Sequence, residues 1–241
     1  MAMVRRCRHP MFKGRHFDQE IIILCVRWYV TYKLSYRDLS AMMLERGISV
    51  TPSTIFRWVQ RYVPQFAKRW DRFSRPVGCS WRVDETYILV NGRCGYLYRA
   101  VDKRGRTVDF LLRQDRGIAA AQAFFRKAFS SHPNRPPRKV TLDGHWPSHR
   151  ALRLLRREHP AWRRVHVRTC AYLNNVVEQD HRAIKARCGT MRGFKSFTTA
   201  ATTLAGIELA HRIRKRQFIC QSKDRRAPVD LRREWYAAIM V

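Results

Sequence analysis

The sequence predicts an α/β protein in which an all-α region precedes a mixed five-stranded sheet with helices on both faces. Apolar residues recur at helical spacing up to about residue 74, and strand-like runs begin at residue 81. The segment 75–78 between them, Arg-Pro-Val-Gly, has the composition of a linker. Hydrophobic residues make up 45% of the 241 residues, which is enough for packed cores. The expected parts are a basic arm (1–16), a helical domain (17–74), a linker (75–80), an α/β domain (81–220) and a basic C-terminal tail (221–241).

Three helices are predicted in the first region. Apolar positions at helical spacing indicate a helix over 17–32, and Ser35 is a suitable N-cap for a second helix that Gly47 ends. Pro52 or Ser53 begins the third helix, which runs through Tyr62. A helix, a glycine-containing turn and a second helix form the helix-turn-helix pattern, and a plain three-helix bundle is the alternative.

The second helix of such a motif faces DNA bases with its early residues. Thr54, Arg57 and Arg61 lie there and are therefore predicted to contact DNA.

The second region has the element order βββαβαβα. The dipeptide Asn91-Gly92 and the run 103–105 are turn signals that join the first three strands into an antiparallel meander. A meander extended by parallel strands, with helices on both faces, is the arrangement of the ribonuclease H-like fold. The predicted strands are 81–90, 96–101, 107–112, 139–142 and 165–167. The predicted helices are 118–129, one from Pro147 or Ser148 to near His159, one that Asn174 or Asn175 caps and that runs to about Arg187, and one over about 198–218.

The charge indicates a polyanionic partner. Lys and Arg total 49 against 18 Asp and Glu, a net charge of +31. The excess is spread along the chain, with 15 basic and 5 acidic residues in 1–76, 25 and 9 in 77–197, and 9 and 4 in 198–241. Such a surface repels itself unless it meets a polyanion, and nucleic acid is the commonest one.

Other patterns bear on where the protein works. Seven cysteines without a CxxC pair disfavour a disulfide framework and a zinc knuckle. The apolar runs are too short for a membrane helix, and no secretory signal follows the N-terminal arginines. We therefore expect a cytoplasmic, nucleoid-associated protein without a membrane partner.

Three acids stand out because the chain has so few. Asp84 lies inside an apolar, β-branched strand, Asp143 follows the fourth strand, and Glu178 begins a late helix. In the predicted fold these three carboxylates converge, and converging carboxylates suit hard divalent cations, of which two can hold the reacting oxygens of a phosphodiester. Two alternatives stay open: Glu85 could replace Asp84 as the ligand, and Glu178 could form a capping box with Asn175.

Several segments carry a family resemblance. They are residues 81–87, 96–102, 172–182 and 193–197, supported by 14–17, 35–39 and 57–62 in the helical region. Together they resemble the DDE transposase and integrase superfamily and, within it, the family-six insertion sequence transposases of bacteria and archaea. The resemblance covers about residues 12–218.

The resemblance implies roles for individual residues. Asp84, Asp143 and Glu178 match the metal-binding triad of that family, which uses Mg²⁺ or Mn²⁺. Lys185, seven residues after Glu178, matches a basic residue that contacts the DNA end, and Arg182 and Lys195 belong to the same matching segments and are assigned to DNA contact with it.

The resemblance also implies an activity. Such enzymes bind terminal inverted repeats, generate 3′-OH ends and join them to target DNA, and two ends held together imply a homodimer or higher oligomer. The alternatives are a non-enzymatic DNA-binding regulator derived from a transposase and a metal-dependent nuclease that does not join strands.

Overall fold

The computed structural model describes residues 9–133, 135–170, 175–189, 191, 193–221 and 230–239. These residues form two compact units. The helical unit comprises residues 1–74 and 202–241, and the sheet unit comprises residues 75–201. The helices are α1 (Gln19–Thr31), α2 (Tyr36–Leu44), α3 (Pro52–Asp71), α4 (Ile118–Ser130), α5 (Trp146–Glu158), α6 (Asn175–Gly189), α7 (Phe197–Arg214) and α8 (Leu231–Ile239), and the strands are β1 (Ser80–Val90), β2 (Arg93–Asp102), β3 (Thr107–Arg113), β4 (Lys139–Leu142) and β5 (His166–Thr169).

Local signals begin and end the first helices as the sequence predicts. Ser35 and Asp38 form a capping box, in which each side chain accepts a hydrogen bond from the other residue's backbone N–H, at 3.1 and 2.7 Å. Gly47 takes a φ of 71° after α2, a conformation that glycine adopts without steric cost. Helix α3 continues past Pro64 to Asp71, because Phe66 and Trp70 extend its buried face. The helices are thus confirmed, whereas their use as a DNA-binding motif stays a prediction.

The structure corrects the expected arm. Residues 1–8 lie outside the described residues, but Pro10–Phe12 form a 3₁₀ turn. The Phe12 ring is fully buried, with its centroid 5.1 Å from that of Tyr62 and 6.4 Å from that of Phe66. An aromatic anchor of this size therefore makes the second half of the predicted arm part of the helical core.

The structure also corrects the expected boundary at residue 220 and the basic tail 221–241. From residue 202 the chain belongs to the helical unit, where a Cβ on Gly206 would lie 2.7 Å from Val30 Cγ1. Glycine at this position therefore permits the close approach of α7 to α1. Residues 222–229 lie outside the described residues, but α8 follows them and buries Trp235 completely, with its ring 6.0 Å from Phe66.

The sheet has the strand order β3-β2-β1-β4-β5. Strands β3, β2 and β1 are antiparallel, and β4 and β5 extend the sheet in parallel. This order, with α4 and α5 on one face and α6 on the other, confirms the predicted ribonuclease H-like fold class. None of the described helices has both the length and the apolar content that crossing a membrane requires.

Alternation along β1 separates the two faces of the sheet. Val83 packs in the core that α4 and α5 cover, together with Tyr98 and Phe124 of the neighbouring elements. Because successive strand residues point to opposite faces, Asp84 points away from that core, and so does Arg99, its partner in the β1–β2 register. Helix α6 packs against β1 and β2 on this second face. Its His181 lies beside Asp84 of β1, and its Asp180 pairs with Arg99 of β2.

Candidate active site

Two of the predicted acids meet where β1 and β4 diverge. The parallel pairing joins Ser80–Arg82 to Lys139–Thr141, after which β1 continues and β4 ends at Leu142. Asp143 is the first residue beyond that end. One oxygen each of Asp84, Glu85 and Asp143 lies within 4.8 Å of the others. The sheet register therefore brings the first two predicted carboxylates together, at an edge where open α/β sheets hold ligands.

The charge of this cluster is poorly compensated. Burial raises the pKa of Asp84 to about 6, and the neighbouring carboxylates of Asp143 and Glu85 add to the effect. Among the described residues, no Lys or Arg lies within ion-pair distance of Asp84 or Asp143. In a chain of net charge +31, two neighbouring acids without an ion-paired Lys or Arg form a site that attracts a cation.

Glu85 differs from Asp84 because it points to the opposite face. Its side chain is 3% exposed, and its Oε1 accepts from Arg116 at 2.6 Å and lies 3.0 Å from His145 Nδ1. Burial raises the pKa of Glu85 while the Arg116 guanidinium opposes the shift. Arg116 thus neutralises Glu85, which makes Glu85 a weaker candidate ligand than Asp84. Arg116 lies in a polar loop and had no signal in the sequence.

Backbone and histidine contacts fix the loop that carries Asp143. The carboxylate of Asp143 accepts a hydrogen bond from the His145 backbone N–H at 3.0 Å. The backbone carbonyl oxygen of Asp143 lies 2.6 Å from His149 Nε2. Trp146 begins α5 beside this loop and is 64% exposed, so it is not a core residue.

The structure does not bring Glu178 into the cluster of oxygens. Its side chain is 58% exposed and lies 3.3 Å from Arg182 Nη2. Helix α6 nevertheless presents Glu178 on the Asp84 side, because His181, three residues later, places its Nδ1 3.7 Å from Asp84 Oδ2. The alternative capping role stays open, since residue 174 and the side chain of Asn175 are outside the description.

A buried ion pair sets the position of α6. Arg99 Nη2 donates to Asp180 Oδ2 at 2.6 Å, and the two side chains are 0% and 7% exposed. Next to it, burial and the Arg99 charge lower the pKa of His181 to about 3, so that this ring is neutral at pH 7. The sequence contained both members of the pair but no pattern that joined positions 81 residues apart.

The other predicted DNA contacts of the sheet unit are exposed cations. Lys185 Nζ lies 4.6 Å from the centroid of the Tyr87 ring, and Arg182 is 75% exposed. Lys195 follows Phe194, which pairs with Val90 at the end of β1, and it lines a groove of about 450 Å³. Their surroundings suit phosphate contact, and that role stays a prediction.

The helical unit contains the remaining predicted contacts. Arg57 and Arg61 are exposed on α3. Thr54 makes two contacts with Thr51 at the start of this helix. Its backbone N–H donates to Thr51 Oγ1 at 3.3 Å, and the two hydroxyl oxygens lie 2.9 Å apart. All three assignments to DNA contact stay predictions.

Comparisons with known proteins identify a family of relatives. Residues 78–217 match the family model of the DDE domain of IS240-type transposases. The chain is 37% identical over 205 residues to the transposase for insertion sequence-like element IS431mec of Staphylococcus aureus, which covers 85% of this chain and 89% of that protein. The transposase for insertion sequence element IS257 in transposon Tn4003, from the same species, matches to the same extent.

Similar solved structures include retroviral enzymes. The catalytic core domain of BIV integrase is 17% identical, with a TM-score of 0.40, and covers 54% of this chain and 82% of that one. A magnesium complex of the HTLV-2 integrase catalytic core is 15% identical, with a TM-score of 0.41, and covers 54% and 83%.

Proposed function

Because the chain belongs to the DDE transposase family of IS6-type insertion sequences, we propose that it is a transposase that cleaves element ends and joins them to target DNA. It binds the terminal inverted repeats, leaves a 3′-OH at each end and transfers that end to a target strand. The observation that carries the proposal is the uncompensated carboxylate pair, Asp84 and Asp143, at the β1–β4 edge.

The residues at this edge fit divalent metal ions. Asp84 and Asp143 offer hard oxygen ligands without an ion-paired Lys or Arg among the described residues. We assign the third carboxylate to Glu178 of α6, three residues before the His181 that lies beside Asp84. We assign Mg²⁺ or Mn²⁺, two ions in all, to these three side chains. When bound, such ions activate the attacking oxygen and offset the charge that develops on the phosphate.

The chain's own groups prepare this site in three ways. Strand pairing fixes Asp84, and the contacts of His145 and His149 fix the loop of Asp143, so that the two carboxylates need little rearrangement. Arg116 holds Glu85 on the opposite face. The neutral His181 packs beside Asp84 without adding a positive charge that would compete with a cation.

DNA binding is divided between the two units. In the sheet unit, Arg182, Lys185 and Lys195 contact the backbone of the element end near the carboxylates, since exposed guanidinium and ammonium groups bind phosphates. In the helical unit, Arg57 and Arg61 read the terminal repeats. Two element ends must be held together while each is joined to the target, so we propose a homodimer or a higher oligomer that works in the cytoplasm on the nucleoid.

An assay with labelled element ends and a plasmid target distinguishes the proposal from its rivals. A transposase cuts at the 3′ end of the repeat and joins it to the plasmid in Mg²⁺ or Mn²⁺. A nuclease cuts without joining, and a regulator derived from a transposase binds without cutting. Specific binding followed by neither reaction, in either metal, would refute the proposed function.

A further inference from the structure

Helix α5 has a basic surface that the chemistry of the carboxylates does not use. Its second half and the following turn enclose a cavity of about 440 Å³ that is lined by Arg153, Arg156, Arg157 and Arg163. We call this cavity the arginine groove. Among the described residues, its lining consists of these four arginines and includes no acid. Such convergence is unfavourable unless an anion compensates it.

The spacing on α5 explains how the groove arises. Arg153, Arg156 and Arg157 are separated by three and four residues and therefore share one face of the helix. The opposite face, which includes Ala151, Leu152 and Leu155, is buried in the sheet core. The hydrophobic core thus fixes which side of α5 presents its arginines to solvent.

Two neighbouring contacts decide which charged groups of α5 are already engaged. Arg156 Nη2 donates to the carbonyl oxygen of Arg163 at 3.0 Å, while its Nε is buried with no acceptor among the described residues. Glu158, the single acid of α5, is engaged by Arg126 at 3.0 Å outside the lining. The exposed guanidinium groups of Arg153 and Arg157 are therefore the donors available to an anion, and the only acid of α5 is already paired elsewhere.

A second concavity continues the basic surface around the same turn. It measures about 860 Å³, and Arg135, Arg138 and Arg164 are among its lining residues. Arg163 and Arg164 are consecutive, so the turn after Pro160–Trp162 presents one arginine to each concavity. Repeated arginines on both sides of one turn suit a polymer of phosphates better than a single small anion.

The position of the groove relates it to the carboxylates. Helix α5 begins at Trp146, three residues after Asp143, and rises ~1.5 Å per residue, which puts Arg157 ~17 Å further along its axis. A duplex advances ~3.4 Å per base pair, so that distance corresponds to about five base pairs. A duplex whose phosphodiester reacts at Asp84 and Asp143 could therefore reach the groove half a helical turn away.

We propose that the arginine groove binds the phosphate backbone of target DNA. Backbone contacts carry no sequence information, which suits a substrate whose sequence is not fixed, unlike the element ends. This assignment rests on the proposed function, because it takes the carboxylate pair as the place where the target strand is attacked.

The test compares two full-length double variants with the wild type. Arg153→Gln/Arg157→Gln removes two charges from the groove. Lys103→Gln/Arg104→Gln removes two charges from the exposed turn between β2 and β3 in the same unit and serves as the control. Two readouts are used: fluorescence anisotropy with a random-sequence 20-base-pair duplex over a range of salt, and joining of a pre-cleaved labelled end to increasing amounts of plasmid.

We expect the groove variant to need about tenfold more plasmid for half-maximal joining and to show a log–log salt slope about two units shallower. Its maximal joining at saturating plasmid and its binding to terminal repeats should stay within about twofold of wild type, as should every readout of the control. Equal losses in both variants would overturn the proposal, because bulk charge would explain them. Loss of repeat binding alone would overturn it in favour of the element end.

Two further outcomes are distinguishable. Unchanged duplex binding together with altered sedimentation of the groove variant would make the groove a contact between copies and overturn the proposal. A wild-type protein that never joins ends would refute the proposed function, while the anisotropy comparison with random duplex would still decide whether the groove binds DNA.

Discussion

Two groups of aspartates in the sheet unit, one buried and one half-buried, differ in their charged neighbours. Asp102, Asp109 and Asp180 each pair with a cation, namely Arg106, Lys127 and Arg99. Asp84 and Asp143 have no such partner among the described residues, and the pKa of Asp84 is raised to about 6.

The paired aspartates stabilise the fold, whereas the unpaired ones, Asp84 and Asp143, are available to bind a ligand. Asp102 shows the difference most clearly. Burial alone would raise its pKa, but hydrogen bonds from the Gly78 backbone N–H and from Arg106 outweigh burial and hold the pKa below its ordinary value. A compensated acid lowers the energy of the fold, and an uncompensated one raises it until a cation binds.

The largest effect is expected from the uncompensated pair. Asp84→Asn and Asp143→Asn should each reduce end cleavage and joining to below about a thousandth of wild type, because a neutral amide is a poor ligand for a hard cation. The double variant should lose little more. Gel-based joining assays measure this, with repeat binding as the control. Near-normal joining by either single variant would remove that acid from the site.

A second prediction concerns the compensated group. Asp102→Asn should lower the free energy of unfolding by about 3 kcal/mol, because it leaves the Arg106 guanidinium without its buried partner. Urea denaturation in EDTA measures the loss. An Asp102→Asn protein as stable as wild type would break the comparison, since the two groups of acids would then not differ in what they stabilise.

Asp84→Asn should raise the free energy of unfolding, whereas Asp102→Asn lowers it. In metal-free protein at pH 7 this variant should be more stable than wild type by about 3 kcal/mol, because folding raises the pKa of Asp84 from its ordinary value of 3.8 to about 6. The native state then binds more protons than the unfolded chain between these values, so wild-type stability falls as pH rises through that window. The advantage of the variant should vanish near pH 4, and added Mg²⁺ should stabilise wild type alone. A pH-independent difference would contradict this explanation.

The smallest effect is expected in the helical unit, where paired and unpaired cations can be compared in the same way. Arg212 pairs with Asp71 at 2.7 Å, whereas Arg57 and Arg61 have no ion pair among the described residues and are available to DNA. Arg57→Ala/Arg61→Ala should weaken binding to terminal repeats about tenfold. Lys68→Ala/Arg72→Ala, near the other end of α3, is the matched control. Equal weakening in both would argue against specific recognition by the early part of α3.

The sequence predicted the strands well because their signals are local. The turn at Asn91-Gly92 and the β-branched run around Asp84 identify β1 and β2 without any knowledge of the packing. The fold class predicts the strand order, and the strand order places Asp84 close to Asp143.

Features that depend on distant contacts were missed or misplaced. The buried Arg99–Asp180 pair and the neutralisation of Glu85 by Arg116 join residues 81 and 31 positions apart. The return of α7 and α8 to the helical unit depends on how Gly206 and Trp235 pack, and a charged, polar sequence around 222–233 concealed it. Local periodicity contains no information about these partners.

The central claim is that Glu178 completes the site that strand pairing begins. Glu178→Gln tests it most directly, because Gln can replace Glu in a capping box but is a far poorer ligand for a hard cation. The measurement is joining of a pre-cleaved labelled end in Mg²⁺ and in Mn²⁺, with circular dichroism and repeat binding as controls. We predict a folded protein that binds repeats like wild type and joins no ends in either metal. Joining at a near wild-type rate would exclude Glu178 from the site and leave helix capping as its role.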